Sequence, residues 1–160
     1  MHGVPMALAI IGCSPERFVP YADLYRDTWQ KAGHDPAKLQ LSINSHGFIG
    51  DTTAQAAEVA WHPYALQMGK IGRERGWPPP TKQQFDAERS PKGAVLIGDP
   101  QAVIDKILWE HELFGMTRFT LQMSVGSLPH KDLMHAIELY GTVVAPAVRK
   151  AIGSAVATAV

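Results

Sequence analysis

Met6 to Gly12 is an unbroken apolar run that ends in glycine, which suits a strand covered on both faces. Ser14, Pro15 and Glu16 then place an N-cap residue, a proline at the first helical position and an acid in the first turn. The spacing of Phe18, Tyr21, Leu24, Tyr25 and Trp29 predicts a helix, and Gly33 to Pro36 stops it. From Leu39 to Ile49 the pattern changes to period two: Leu41, Ile43 and Ser45 alternate with Ser42, Asn44 and His46. Asp51 to Thr53 opens a helix over Ala54 to His62, Pro63 interrupts it, and helical spacing resumes from Tyr64 to Arg75. Trp77 to Pro80 is stiff and extended, and the chain stays polar to Gly93, with at most a turn of helix near Gln83 to Ala87. Ala94 to Ile97 is a short apolar strand. Asp99-Pro100 starts a helix that ends at Gly115. A strand over Arg118 to Val125, a helix over His130 to Tyr140, a break or bend at Gly141-Thr142 and final turns to about Ile152 complete the order. Strands alternating with helices predict a parallel sheet with right-handed crossovers. The expected domain is residues 1–152, followed by a frayed tail over 153–160.

Composition narrows the class without naming a function. The 160 residues carry 15 Lys plus Arg against 15 Asp plus Glu, so the formal charge is zero and no basic footprint for nucleic acid exists. No apolar stretch is long enough to span a bilayer. The N-terminus lacks the basic segment of a signal peptide. The single cysteine, Cys13, excludes an intramolecular disulfide and fits a reducing cytoplasm.

Several polar groups interrupt this pattern. Gly12, Cys13 and Ser14 lie between a strand and a helix. Their backbone N–H groups either hold a phosphate or flavin edge or simply start the helix, since no Gly-x-Gly-x-x-Gly or Walker pattern is present. Asn44, Ser45 and His46 fall toward the C-terminal end of an otherwise apolar strand, where parallel α/β folds place ligands. His46 is either a ligand or proton-transfer group or a histidine satisfied within the core. Gln122, between Leu121 and Met123, is a neutral amide that needs a partner, from a ligand or from neighbouring backbone. Arg73, Arg75 and Trp77 either cover a bound ring or anion, or form a solvated helix end anchored by an indole. No metal site is evident: His111 and Glu112 lie side by side and His130 and His135 are five apart, so neither pair has chelating spacing, and no nucleophile triad is present.

Gly93 to Pro100, the helix to His111-Glu112, Arg118 to Gly126, Leu128 to His130, Ala136 to Leu139 and Val144 to Arg149 together resemble the end of the luciferase-like flavin-dependent monooxygenases. Ser45 to Phe48 and Gly69 to Pro79 are similar to one branch of that family. The resemblance implies a (β/α)8 TIM barrel of the luciferase-like type, of which this chain is roughly the C-terminal half, with parallel strands and outer helices. A whole barrel takes about 250 residues. It also implies an oxidoreductase that uses reduced flavin (FMN, alternatively a deazaflavin) and molecular oxygen on a small organic substrate. By position alone, it assigns Gly12, Cys13, Ser14, Ser45 and Gln122 to the cofactor, with Ser124 beside them, and His46, Arg73 and Trp77 to the substrate. The implied partner is a second copy of the chain or the missing N-terminal half. The alternative is a non-catalytic half-barrel that serves in binding or assembly.

Overall fold

The computed structural model describes residues 2–158, with side chains described to residue 153. Four parallel strands form an open sheet: β1 (Met6–Ile10), β2 (Leu41–Ile49), β3 (Leu96–Gly98) and β4 (Arg118–Gln122). β1 pairs with β2 from Met6↔Leu41 to Ile10↔Ser45, and β4 pairs with β2 from Ser42↔Arg118 to His46↔Gln122. Because β1 and β4 occupy the same stretch of β2, they must lie on its two opposite edges. The three-residue β3 extends the pairing past them, from Gly47↔Leu96 to Ile49↔Gly98. The sheet does not close, so it has the parallel strands of a barrel over only part of a circuit.

The helices are α1 (Val19–Lys31), α2 (Thr53–Arg75), α3 (Lys82–Glu88), α4 (Pro100–Phe114), α5 (His130–Leu139) and α6 (Ala145–Thr158). Their ends follow local chemistry. Thr52 accepts the Gln55 N–H and Asp99 accepts the Ala102 N–H, while Pro100 follows at the first helical position. α2 and α4 stop at Gly76 and Gly115, both left-handed. A capping box between Thr81 and Gln84 opens α3, where the sequence pattern suggests no more than a turn.

Several further expectations from the pattern change in the fold. Ser14 does not cap a helix: its hydroxyl donates to Glu16 at 3.2 Å, and the chain enters α1 through a 3₁₀ turn over Pro15–Phe18. Pro63 does not end α2, which runs through it; the proline is buried with Ala56, Ala57, Ala60 and Tyr64, and this packing offsets the missing backbone donor. β4 leaves the ladder after Gln122 rather than at Val125. At Gly141-Thr142 the expected break or bend is a widening of continuous helix into a π-helical segment, Tyr140–Val144, where the Thr142 hydroxyl donates to the Glu138 carbonyl. Helical backbone then continues past Ile152 to Thr158, and residues 159–160 of the expected tail lie outside the described residues.

Alternation divides the sheet into two unlike faces. Leu8, Ile10, Leu41 and Ile43 point into a core shared with residues of all six helices' layer, among them Ala22, Val103, Ile107, Phe114 and Ala136. The in-register residues of the opposite face are Ala7 and Ala9, Ser42 and Asn44, and Arg118 and Thr120. All of these are exposed or half-buried.

Candidate functional site

The open face becomes a site at the C-terminal ends of the strands. His46 and Gln122 are register partners across β2 and β4, one step beyond the Asn44–Thr120 pair on the same face. The second half of α2 reaches over this end, and the segment after β4 closes it from the other side. Together they enclose a cleft of about 480 Å³ lined by His46, Gln122 and Ser124, with Gln67, Lys70 and Ile71 from α2. Gly126 sets how close the two walls come. Its φ is +77°, and a Cβ there would lie 2.3 Å from the Pro63 carbonyl oxygen, so only glycine lets the loop rest on α2.

His46 is the group whose surroundings are least complete. It is 7% exposed, and its Nδ1 is buried without a hydrogen-bond partner. Burial holds its pKa below the ordinary 6.5, so the ring is neutral at neutral pH. A neutral imidazole offers one donor and one acceptor, and a buried ring nitrogen with no protein partner is costly. The cleft's other polar groups are neutral amides and hydroxyls, apart from Lys70.

The other expected residues lie around this centre rather than in it. Ser45 points to the helix-covered face, fully buried, with its hydroxyl unpartnered, so it is separated from His46 and Gln122 by the thickness of the sheet. Gly12, Cys13 and Ser14 form the bend just past the end of β1, at the same end of the sheet as the cleft. Cys13 is exposed there with φ +66°. Arg73 is exposed one turn beyond Lys70, and the Trp77 ring sits under the Arg75 guanidinium, 5.1 Å from the ring centre, while the Trp77 backbone N–H donates to the Gly72 carbonyl. Neither Arg73 nor Trp77 lines the cleft. Lys70 and Gln67 went unread in the sequence although Leu66, Gln67, Lys70 and Ile71 share one helical face. Nothing local says that this face looks back onto the sheet.

The strand ends are braced from behind. The Thr53 hydroxyl donates to Asp99 at 2.6 Å and accepts from the Asp99 N–H, tying α2 to the start of α4. His135 on α5 meets Asp51 at 2.8 Å, and this bond raises the imidazole pKa. Among the described residues no group of three or more histidine, cysteine, aspartate or glutamate side chains is placed to hold a metal.

The same arrangement of strands and helices occurs in known monooxygenases. The monooxygenase RslO1 from Streptomyces bottropensis superposes with a TM-score of 0.70 at 20% identity, over 90% of this chain and 42% of its own. The fold is that of the luciferase-like monooxygenases. The oxygenating constituent of 3,6-diketocamphane monooxygenase from Pseudomonas putida, in complex with FMN, gives 0.61 at 18% identity, over 88% of this chain and 42% of its own. A coenzyme F420-dependent tetrahydromethanopterin reductase from Methanopyrus kandleri gives 0.58 at 19% identity, over 89% and 45%. The chain therefore spans about two fifths of the length of the luciferase-like proteins it matches. No family model matches the sequence, and no curated protein does. No helix among the described residues is long and apolar enough to cross a membrane.

Proposed function

We propose that this chain supplies one side of a flavin-dependent oxidoreductase site, in which reduced FMN, or alternatively a deazaflavin, and molecular oxygen act on a small organic substrate. The observation that carries the reading is the cleft at the strand ends, where a buried, neutral His46 with an unpartnered nitrogen stands beside Gln122 and Ser124. Such neutral donors and acceptors suit the polar edge of a flavin ring, which needs hydrogen bonds rather than a counter-charge. His46 and Gln122 orient the ring edge, the backbone of Gly12 to Ser14 offers N–H groups for the cofactor's phosphate, and Arg73 and Trp77 guard the approach of substrate. Bound flavin would supply the electron transfer; the protein's part is to position it and exclude water.

The two-fifths span and the open sheet argue that this site needs the rest of a barrel, whether joined to this chain or brought by another. Titration of the chain with FMN, followed by flavin fluorescence, tests the reading. Weak but saturable binding is expected, reduced about tenfold in Gln122→Ala, the loss of one good hydrogen bond. Binding that ignores both Gln122→Ala and His46→Ala would remove the flavin from this cleft. Micromolar binding with reductant-dependent oxygen consumption by the chain alone would show that the rest of a barrel is not required.

A second reading has its own observation. The outer edges of β1 and β4 have no strand partner among the described residues. Unpaired edges and an uncovered polar face favour association, as in a half-barrel serving assembly. Sedimentation that finds a folded monomer at every concentration counts against it.

A further inference from the structure

The cleft is not evenly polar. Its one charged side chain is Lys70, and no acidic side chain lines it. Lys70 has no ion pair among the described residues, although Glu74 follows it one turn later on α2. Leu66 and Ile71 flank Lys70 on the same wall, and Val125 faces them, so the cation stands at the edge of an apolar surface. On the floor, His46 is more than nine-tenths buried with Nδ1 unsatisfied, and Gln122 presents an exposed amide. The lining thus has three parts: a point cation, an apolar wall and a neutral hydrogen-bonding floor. An inorganic ion would use only the first, and a hydrocarbon only the second.

We propose that the cleft selects an organic carboxylate as its substrate, with the acid group on the Lys70 ammonium, the apolar body against Leu66, Ile71 and Val125, and the site of reaction toward His46 and Gln122. This rests on the reading that the cleft serves the flavin site on its substrate side, and it concerns only what the cleft prefers to bind. A lysine ammonium at the exposed edge of the cleft makes a charge-assisted hydrogen bond with a carboxylate, stronger than a neutral one. An uncharged amide of the same shape loses that term while keeping its apolar contacts. His46 is a positioning residue here: held neutral by burial, it neither competes for the anion nor repels Lys70.

The test needs no cofactor. The ¹⁵N-labelled chain is titrated with octanoate and with octanamide while the imidazole signals are followed. Octanoate is expected to bind about tenfold tighter than octanamide and to shift the His46 resonances. Lys70→Gln, a substitution at an exposed position that leaves folding intact, is expected to abolish the preference, and Lys70→Arg to keep most of it. Equal binding of acid and amide, or a preference that survives Lys70→Gln, overturns the proposal. So does displacement of octanoate by low millimolar inorganic phosphate, which would make phosphate the anion recognised. A loss of FMN binding but not riboflavin binding in Lys70→Gln would assign the lysine to the cofactor instead, and would also overturn it. If FMN fails to bind at all while the Lys70-dependent octanoate preference holds, the flavin reading falls and the carboxylate site stands.

Discussion

The two faces of the sheet are built from alternate residues of the same strands, yet they differ in nearly every property. On one face Ile10, Leu41 and Ile43 are fully buried under helices. On the other, Ala7, Ser42, Asn44, Arg118 and Thr120 are small or polar and remain open to solvent. A single-sided sheet would ordinarily place charged, branched residues on its wet face. Small and hydrogen-bonding groups instead suit a surface meant to be enclosed, as the interior of a barrel is. The covered face carries the stability, and the open face ends at His46, where burial and polarity coincide on that side of the sheet.

The contrast can be broken most strongly from the covered side. Ile43→Ala removes a fully buried side chain and is expected to cost about 3 kcal/mol in denaturant unfolding. A cost near zero would mean that this face is not the core. Gly126→Ala should follow, at about 2 kcal/mol, because the new Cβ meets the Pro63 carbonyl and the backbone is left-handed there. The same variant should weaken ligand binding in the cleft, since the loop must lift off α2. Unaltered stability would place the loop elsewhere.

A pH-dependent effect sharpens the picture of the covered layer, which is not wholly apolar. Glu110 on α4 is fully buried, with both carboxyl oxygens unpartnered. Burial pushes its pKa up to about 7, against the attraction of Lys106 one turn earlier. Lys106 is drawn down to about 8 by burial, and its ammonium donates to the Ser90 and Val95 carbonyls at 2.8 Å each. The unfolded carboxyl ionises near 4.5, so between that pH and about 7 the unfolded chain releases a proton that the folded one keeps. Folding is therefore progressively disfavoured as pH rises through this window, and the loss levels off above it. Glu110→Gln cannot ionise. Its stability relative to the parent should rise by about 2.5 kcal/mol from pH 4.5 to 7; a flat difference in melting temperature would refute the buried, unpartnered carboxyl. The smallest effect is expected on the open face, where Asn44→Ala should change stability by about 0.5 kcal/mol or less.

Much of the local architecture was legible beforehand. The run from Met6, the alternation in Leu41 to His46 and the Asp99-Pro100 helix start all became the expected elements, because strand period and capping are properties of a few adjacent residues. Pro63 was misread because its cost to a helix is local while its compensation, burial against the core and the close approach of Gly126, is not. The candidate site was legible in part. His46 and Gln122 stood out as polar interruptions of apolar strands, and the fold makes them neighbours. Ser45 stood out equally, but a one-residue offset puts it on the far face.

By itself the sequence determined the order of most strands and helices, several of their caps, and the likeness to luciferase-like enzymes. Only the tertiary structure decided that β4 lies beside β2 in a register that sets Gln122 against His46, and that α2 brings Lys70 to the same opening. The reason is one of range. Period and capping are fixed by atoms a few residues apart, whereas a cleft depends on contacts between segments separated by most of the chain, which leave no trace in the spacing of neighbours.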